Sequence, residues 1–360
     1  MKRLFITDCE GPISKNDNAL ETLSHFVPQG ERLFTVVSRY DDALSDVLKR
    51  PGYEAGDTLK LVLPFLKAYD VTDEEIRQFS ARNLILIAHA GDMLRHMGSI
   101  SPVYIVSTSY EHYIKALCKA LEFPFEKTYC TKYSLDLYTI TSEEKDCLKK
   151  AGREIAQLPV FKNPTDKKGV KDLPEETQTI IRRLDQIFWK TITKMPIGKI
   201  YSDVSPVGGR EKAEAMKEIA DTEGVALTDI MYVGDSITDE KAFKLVRENG
   251  GLTVSFNGNQ YAVRNAEIAL LSSDCMITTL IADVFIRFGK TKTLNLVAKW
   301  NRRKLENSLV NEDLRGRFLK LHPRELPKAR IITRENMRDI AKMSSEFRKK
   351  VRGEAISRLG

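Results

Sequence analysis

The stretch LFITDCEGPIS, residues 4–14, sets two carboxylates, Asp8 and Glu10, where a short apolar run gives out into Gly11-Pro12. A second pair, Asp235 and Asp239, follows another apolar run in YVGDSITDE, and Ser107 with Thr108 closes VYIVST. Carboxylates brought together repel one another unless a cation intervenes, and an all-oxygen set of Asp8, Asp235 and a backbone carbonyl suits Mg²⁺. A carboxylate beside that ion can attack phosphorus and carry the phosphoryl group as an aspartyl-phosphate. The charge that develops on the transferring oxygens then calls for donors, and Ser107, Thr108, backbone N–H groups and one lysine are candidates. Lys212, in VGGREKAEAM, follows a glycine-rich turn at the expected start of a helix and offers a compact ammonium. Each residue also has an ordinary use. An Asp after a strand forms turns or caps helices, Ser107 can cap a helix beginning near Glu111, and a lone lysine is usually solvated. Their order along the chain favours the chemical reading.

Four apolar runs read as buried parallel strands: LFIT (4–7), VYIVST (103–108), DIMYVG (229–234) and LTVSF (252–256). Ligands gather at the carboxyl ends of strands in open α/β sheets, so Asp8, Ser107 and Asp235 can converge despite their separation in sequence. Further strands are expected near 267–270 and 275–278. Between the first two strands the pattern predicts helices over 41–50, over 58–69 with an interruption at Pro64, and over 74–97. A second helical insertion covers 141–195, divided by the polar linker KNPTDKKGVKDLP (162–174).

The composition, 42% apolar and 30% charged over 360 residues, is that of a globular protein with a full-sized core. No run approaches 18 apolar residues, so no membrane span is expected. The opening MKRLFITDCEG reads as a first core strand rather than a signal peptide, which favours the cytoplasm. Five scattered cysteines form no CxxC pair and five scattered histidines no HExxH, which argues against a disulfide framework or a zinc site. The net charge of +7 is concentrated at one end. Residues 285–360 hold 21 Lys and Arg against 8 Asp and Glu, a net of +13, which leaves −6 for the first 284. This tail is the basis of a second reading, a weakly active or non-enzymatic scaffold that docks on a protein or anionic partner. Its basic residues alternate with acidic ones, and Trp300 beside Asn301-Arg302-Arg303-Lys304 sits at helical spacing from Leu296, so nucleic-acid binding is disfavoured.

Taken together, these segments resemble the four motifs of the haloacid-dehalogenase-like superfamily of phosphatases and phosphotransferases. Asp8-Cys9-Glu10-Gly11 is similar to its nucleophile motif, Ser107 to its strand-end Ser or Thr, Lys212 to its helix-borne lysine, and Gly234 to Asp239 to its Gly-Asp-Ser-x-x-Asp. The resemblance covers residues 4 to about 283, including VSFNGNQYAVRNAEIAL, and leaves the tail outside. It implies Mg²⁺-dependent phosphoryl transfer with Asp8 as nucleophile. Asp8, the carbonyl of Glu10 and Asp235 would hold the metal, with Asp239 in support. The chain is also similar, more weakly, to an archaeal group assigned to membrane-bound energy-converting hydrogenases.

Two positions depart from the family pattern. Glu10 stands where its phosphatases usually carry an Asp that protonates the leaving oxygen, and Pro12 stands where Thr is common. Glu can do the same acid/base work, with a reference pKa only about 0.4 units higher, but the extra methylene either spoils the geometry or is absorbed by a shifted turn. Residues 14–97 occupy the place of a cap that closes over a small substrate. Arg39, in FTVVSRYDDAL, is a candidate for a substrate carboxylate or phosphate, with a pair to Asp41 or Asp42 as the alternative. The resulting expectation is a Rossmann-like α/β fold: a mostly parallel sheet with helices on both faces. Its core is formed by 1–13, 98–140 and 196–284, with helical insertions at 14–97 and 141–195 and a basic helical extension over 285–360.

Overall fold

The structure, a computed structural model, describes residues 2–161, 169 and 172–354. Most of the linker expected at 162–174 lies outside the described residues.

Seven strands form one sheet: β1 (Leu4–Thr7), β2 (Val103–Tyr110), β3 (Thr128–Thr131), β4 (Ile230–Gly234), β5 (Leu252–Phe256), β6 (Ile268–Leu271) and β7 (Lys328–Ile331). Their order is β3-β2-β1-β4-β5-β6-β7; all neighbours are parallel except β6 and β7, which are antiparallel. The chain steps outward from β1 to β2 and β3, then crosses back to β4 on the other side. The switch point between β1 and β4 is where such sheets leave a crevice beyond their strand ends. β1, β4 and β5 are buried throughout, so β1 and β4 read as nearly continuous apolar runs, while β5 also buries Thr253 and Ser255.

Helices cover both faces. On one, Ala90–Ile100, Glu111–Leu121 and Met276–Phe288 pack over Phe5, Ile105, Val233 and Val254; on the other, Gly209–Glu223 and Glu240–Glu248 pack over Ile6, Val106 and Tyr232. The two insertions do not form two bodies. Asn18–Phe26, Gly30–Asp42 and Thr58–Ala68 share one apolar core with Ser142–Gln157 and Glu175–Gln186, in which Leu33, Phe65, Leu148, Leu184 and Phe188 are buried together. They make a single helical cap.

Several local expectations are corrected. Residues 275–278 open the helix Met276–Phe288 rather than forming a strand. That helix is buried on nearly every side, so its apolar run carries no period. Residues 74–97 are two helices, Asp73–Arg82 and Ala90–Ile100, and the segment between them runs beside 13–15, with Ile87 N–H donating to Ile13 O and Lys15 N–H to Ile85 O, each at 2.8 Å. These two strips of chain tether the cap to the core. Residues 41–47 continue the helix from Gly30, and Thr58–Ala68 runs through Pro64 without stopping. The expected boundary at residue 284 falls inside the helix Met276–Phe288, and the basic extension contributes a strand, β7, as well as the helix Met337–Arg352.

Candidate active site

Thr7, the last residue of β1, lies in register with Ile105 on β2 and Val233 on β4. Asp8 follows at once, its N–H donating to Val233 O at 2.8 Å, and Asp235 follows Gly234 at the end of β4. The register therefore delivers both carboxylates to the switch point. Gly11 turns the chain away at φ +101°, and a Cβ on it would lie 2.2 Å from Asp235 Oδ2, so a side chain there would have to displace the carboxylate.

Asp8 Oδ2 accepts a hydrogen bond from Lys212 Nζ at 2.6 Å, and the same ammonium donates to Asp239 Oδ1 at 2.7 Å. Lys212 projects from the first turn of Gly209–Glu223 and is fully buried. The cations near it in sequence lie on the surface, Lys199 with Asp203 and Arg210 with Glu211. Asp239 uses its remaining acceptor capacity on Tyr232 OH at 2.5 Å and on the N–H groups of Asp235 and Ser236 at 2.8 and 2.9 Å. It thus fixes Lys212 and the turn that carries Asp235. Ligand oxygens of Asp8, Asp235 and Asp239 all lie within 4.8 Å of one another.

Burial disfavours the ionised form of Asp8, and although Lys212 opposes this, the carboxyl is raised to about 7. Burial acts the same way on Asp239, but there the Lys212 charge and the hydrogen bonds prevail and hold it below the usual carboxylate range. Lys212 is disfavoured as an ion by burial, yet the two carboxylates outweigh this and raise its affinity for a proton.

Asp8, Glu10, Ser107, Thr108 and Asp235 line one cavity of about 110 Å³, roofed by cap residues that include Phe34, Ser38, Asp41 and Asp42. Ser107 Oγ donates to Ser109 Oγ at 3.1 Å, and Thr108 Oγ1 is buried with no hydrogen-bond partner among the described residues. Glu10 turns toward the cap, where its Oε1 accepts the N–H of Asn18, the first residue of the helix Asn18–Phe26, at 2.7 Å. Burial, reinforced by Asp17 and opposed by Arg352, raises Glu10 well above the usual range. Arg39 donates to Asp42 at 3.3 Å and is not among the cavity-lining residues.

Many lining residues were absent from the sequence-based set, among them the charged Asp17, Asp41, Asp42, Arg348 and Arg352. Asp41 is 4% exposed, with one oxygen on Gly56 N–H at 2.9 Å, and burial raises its carboxyl to about 8. Asp42, beside Arg39, is raised by burial to about 7. Arg348 and Arg352, from the helix Met337–Arg352, both reach Asp235 Oδ2, Arg352 at 2.9 Å. The excess of basic residues in the tail hinted at a charged partner, but no feature of the sequence indicated that the partner would be this carboxylate.

No protein-family model matches the chain, and no curated protein does. Among solved structures, phosphoserine phosphatase in its apo form matches at 14% identity and a TM-score of 0.41, covering 81% of this chain and 100% of that one. A phospho-aspartyl intermediate analogue of phosphoserine phosphatase matches at 14% identity and a TM-score of 0.40, covering 76% and 95%. Neither of these matches names a hydrogenase. A gene product of Archaeoglobus fulgidus is 25% identical, with a TM-score of 0.80 over 100% of this chain and 99% of that one, so the two chains share one fold over their whole length.

Proposed function

We propose that the protein hydrolyses a small phosphate monoester with the help of Mg²⁺, carrying the phosphoryl group on Asp8. The observation that carries this reading is the trio of buried carboxylates at the switch point, with a fully buried lysine bonded to two of them. A compact, all-oxygen donor set fits a hard divalent cation. Asp8, Asp235 and the carbonyl of Glu10 would hold it, with Asp239 behind them. Bound there, Mg²⁺ would offset charge on the phosphoryl oxygens.

The remaining work falls to side chains. Asp8 attacks phosphorus, the bond to the leaving alcohol oxygen breaks, and Glu10 gives that oxygen a proton. Glu10, now a carboxylate, takes a proton from water as the water oxygen attacks phosphorus, and the bond to Asp8 breaks to release phosphate. Ser107, Thr108 and Lys212 donate to the equatorial oxygens throughout. The raised proton affinity of Glu10 suits a group that must begin as an acid. The small roofed cavity favours a small ester over a phosphoprotein.

The test is phosphate release from sugar, nucleotide and hydroxy-acid phosphates, with and without Mg²⁺, by the wild type and Asp8→Asn. Metal-dependent release that Asp8→Asn abolishes, while its circular dichroism stays native, is the expected result. No metal-dependent release from any substrate, or an active Asp8→Asn variant, refutes the proposal.

A further inference from the structure

The helix Met337–Arg352 buries Ile340, Ser344, Arg348 and Arg352, a row of residues each four positions apart. Such a row lies along one face of a helix. Its first half is ordinary packing: Ile340 sits with Val263, Ala269 and Leu271, and Ser344 Oγ donates to Gly258 O at 2.6 Å. Its second half is two guanidinium groups, 4% and 9% exposed, both directed at Asp235 Oδ2. Arg352 also donates through Nε to Lys15 O at 3.0 Å and through Nη2 to Asn16 O, so it grips the tether between core and cap.

The direct ion pairs at the centre already balance: Asp8, Asp235 and Asp239 face Lys212, Arg348 and Arg352. The two arginines engage Oδ2 of Asp235, a carboxylate that the proposed metal site also uses. A divalent cation entering beside them would meet like charge at close range in a poorly screened interior. The arginines and the cation therefore compete for the charge of Asp235.

From this geometry, and resting on the metal-dependent reading above, we infer that the C-terminal helix is a displaceable plug, seated in the structure on the carboxylate that the activating cation needs. The seated state is the inhibited one, with Asp235 neutralised and the cap tether held. Cation binding and helix seating oppose each other, so whatever draws the helix away raises the affinity for metal. When the competent state is a minor fraction of the population, apparent affinity falls by that fraction. A plug seated 90–99% of the time therefore weakens metal binding about 10–100-fold.

The experiment uses the full chain and Mn²⁺ alone, followed by calorimetry and by loss of the free-ion paramagnetic signal. Arg348→Gln/Arg352→Gln is expected to bind Mn²⁺ about 10–100-fold more tightly than wild type, and adding Asp235→Asn to that variant is expected to cancel the gain. Equal affinity of wild type and the double variant overturns the plug while leaving the metal site standing. No Mn²⁺ binding by either overturns both. Because the double variant leaves Asp235 buried without its partners and can fail to fold, amide hydrogen exchange of wild-type residues 337–352 supplies a second test. Exchange that speeds up at saturating Mn²⁺ supports the plug, and unchanged exchange with the metal bound overturns it.

Discussion

Replacing Lys212 by Met keeps an unbranched side chain of similar length and removes the ammonium that holds Asp8 and Asp239 together. Lys212 is fully buried, with Nζ 2.6 and 2.7 Å from two carboxylates that are themselves at most 4% exposed, so water cannot take its place. Removing one partner from a buried pair costs about 3–5 kcal/mol, because the charge left behind is uncompensated. With a urea slope of about 3 kcal/mol per molar, the unfolding midpoint should fall by about 1–1.7 M. The measurement is urea denaturation at pH 8 in EDTA, followed by far-ultraviolet circular dichroism, so that no metal substitutes for the lysine. Lys212→Met/Asp239→Asn removes one charge of each sign and should recover about 1–3 kcal/mol of the loss through the coupling expected of contacting residues. A single variant within about 1 kcal/mol of wild type, a change typical of exposed pairs, would refute the view that this lysine neutralises the centre. A double variant no better than the single one would do the same.

Two other outcomes follow from the site. Glu10 spans to Asn18 N–H at 2.7 Å, so the turn uses its full length; Glu10→Asp should lower kcat, and a rise would mean that the longer side chain is a misfit. Glu10→Gln should cost about 10²–10⁴-fold with an alkyl phosphate and much less with a p-nitrophenyl ester, whose departure needs no proton. Asp41 is raised by burial from 3.8 to about 8, so between those values the folded chain keeps a proton that the unfolded chain has released. Stability therefore falls as pH rises across that window, by on the order of 1 kcal/mol per pH unit from this group. Asp41→Asn, which retains an acceptor for Gly56 N–H, should flatten the decline and be the more stable protein at pH 9, as read by denaturation midpoints.

The central strands and the residues at their ends were legible because they lie in buried, mostly apolar parallel runs, and Asp8, Ser107 and Asp235 lie in or directly after three of them. Elements with mixed surroundings were not. β3 (TYCT) is half covered and its pairing with β2 shifts register between Val106 and Tyr110; β7 (KARI) is an edge strand whose exposed Lys328 and Arg330 read as tail charge. Charged side chains are common on such edges because they discourage further pairing. The tether at 83–89 has the apolar content of a helix, yet its backbone is committed to residues 13–15. Arg348 and Arg352 were hidden for a different reason. Local pattern identifies the face of a helix that is buried, but their partner lies more than a hundred residues earlier, and neighbouring Lys349 and Lys350 are exposed.

The place of β1 between β2 and β4 also bears on how the protein is made. Chains emerge from the ribosome at about 5–20 residues per second, N-terminal regions first. β1 is complete at Thr7, but its neighbour β4 begins at Ile230, which follows roughly 10–45 s later at that pace. Every residue of the cap's apolar core lies at or before Val204, so the cap can collapse while β1 still has one open edge. Lys212 emerges after that core is complete, and Arg348 later still. Asp8 is therefore synthesised long before Lys212, and Asp235 and Asp239 long before Arg348 and Arg352; during translation a nascent chain carries Asp8 beside an unpaired strand edge, the kind of surface that chaperones shield.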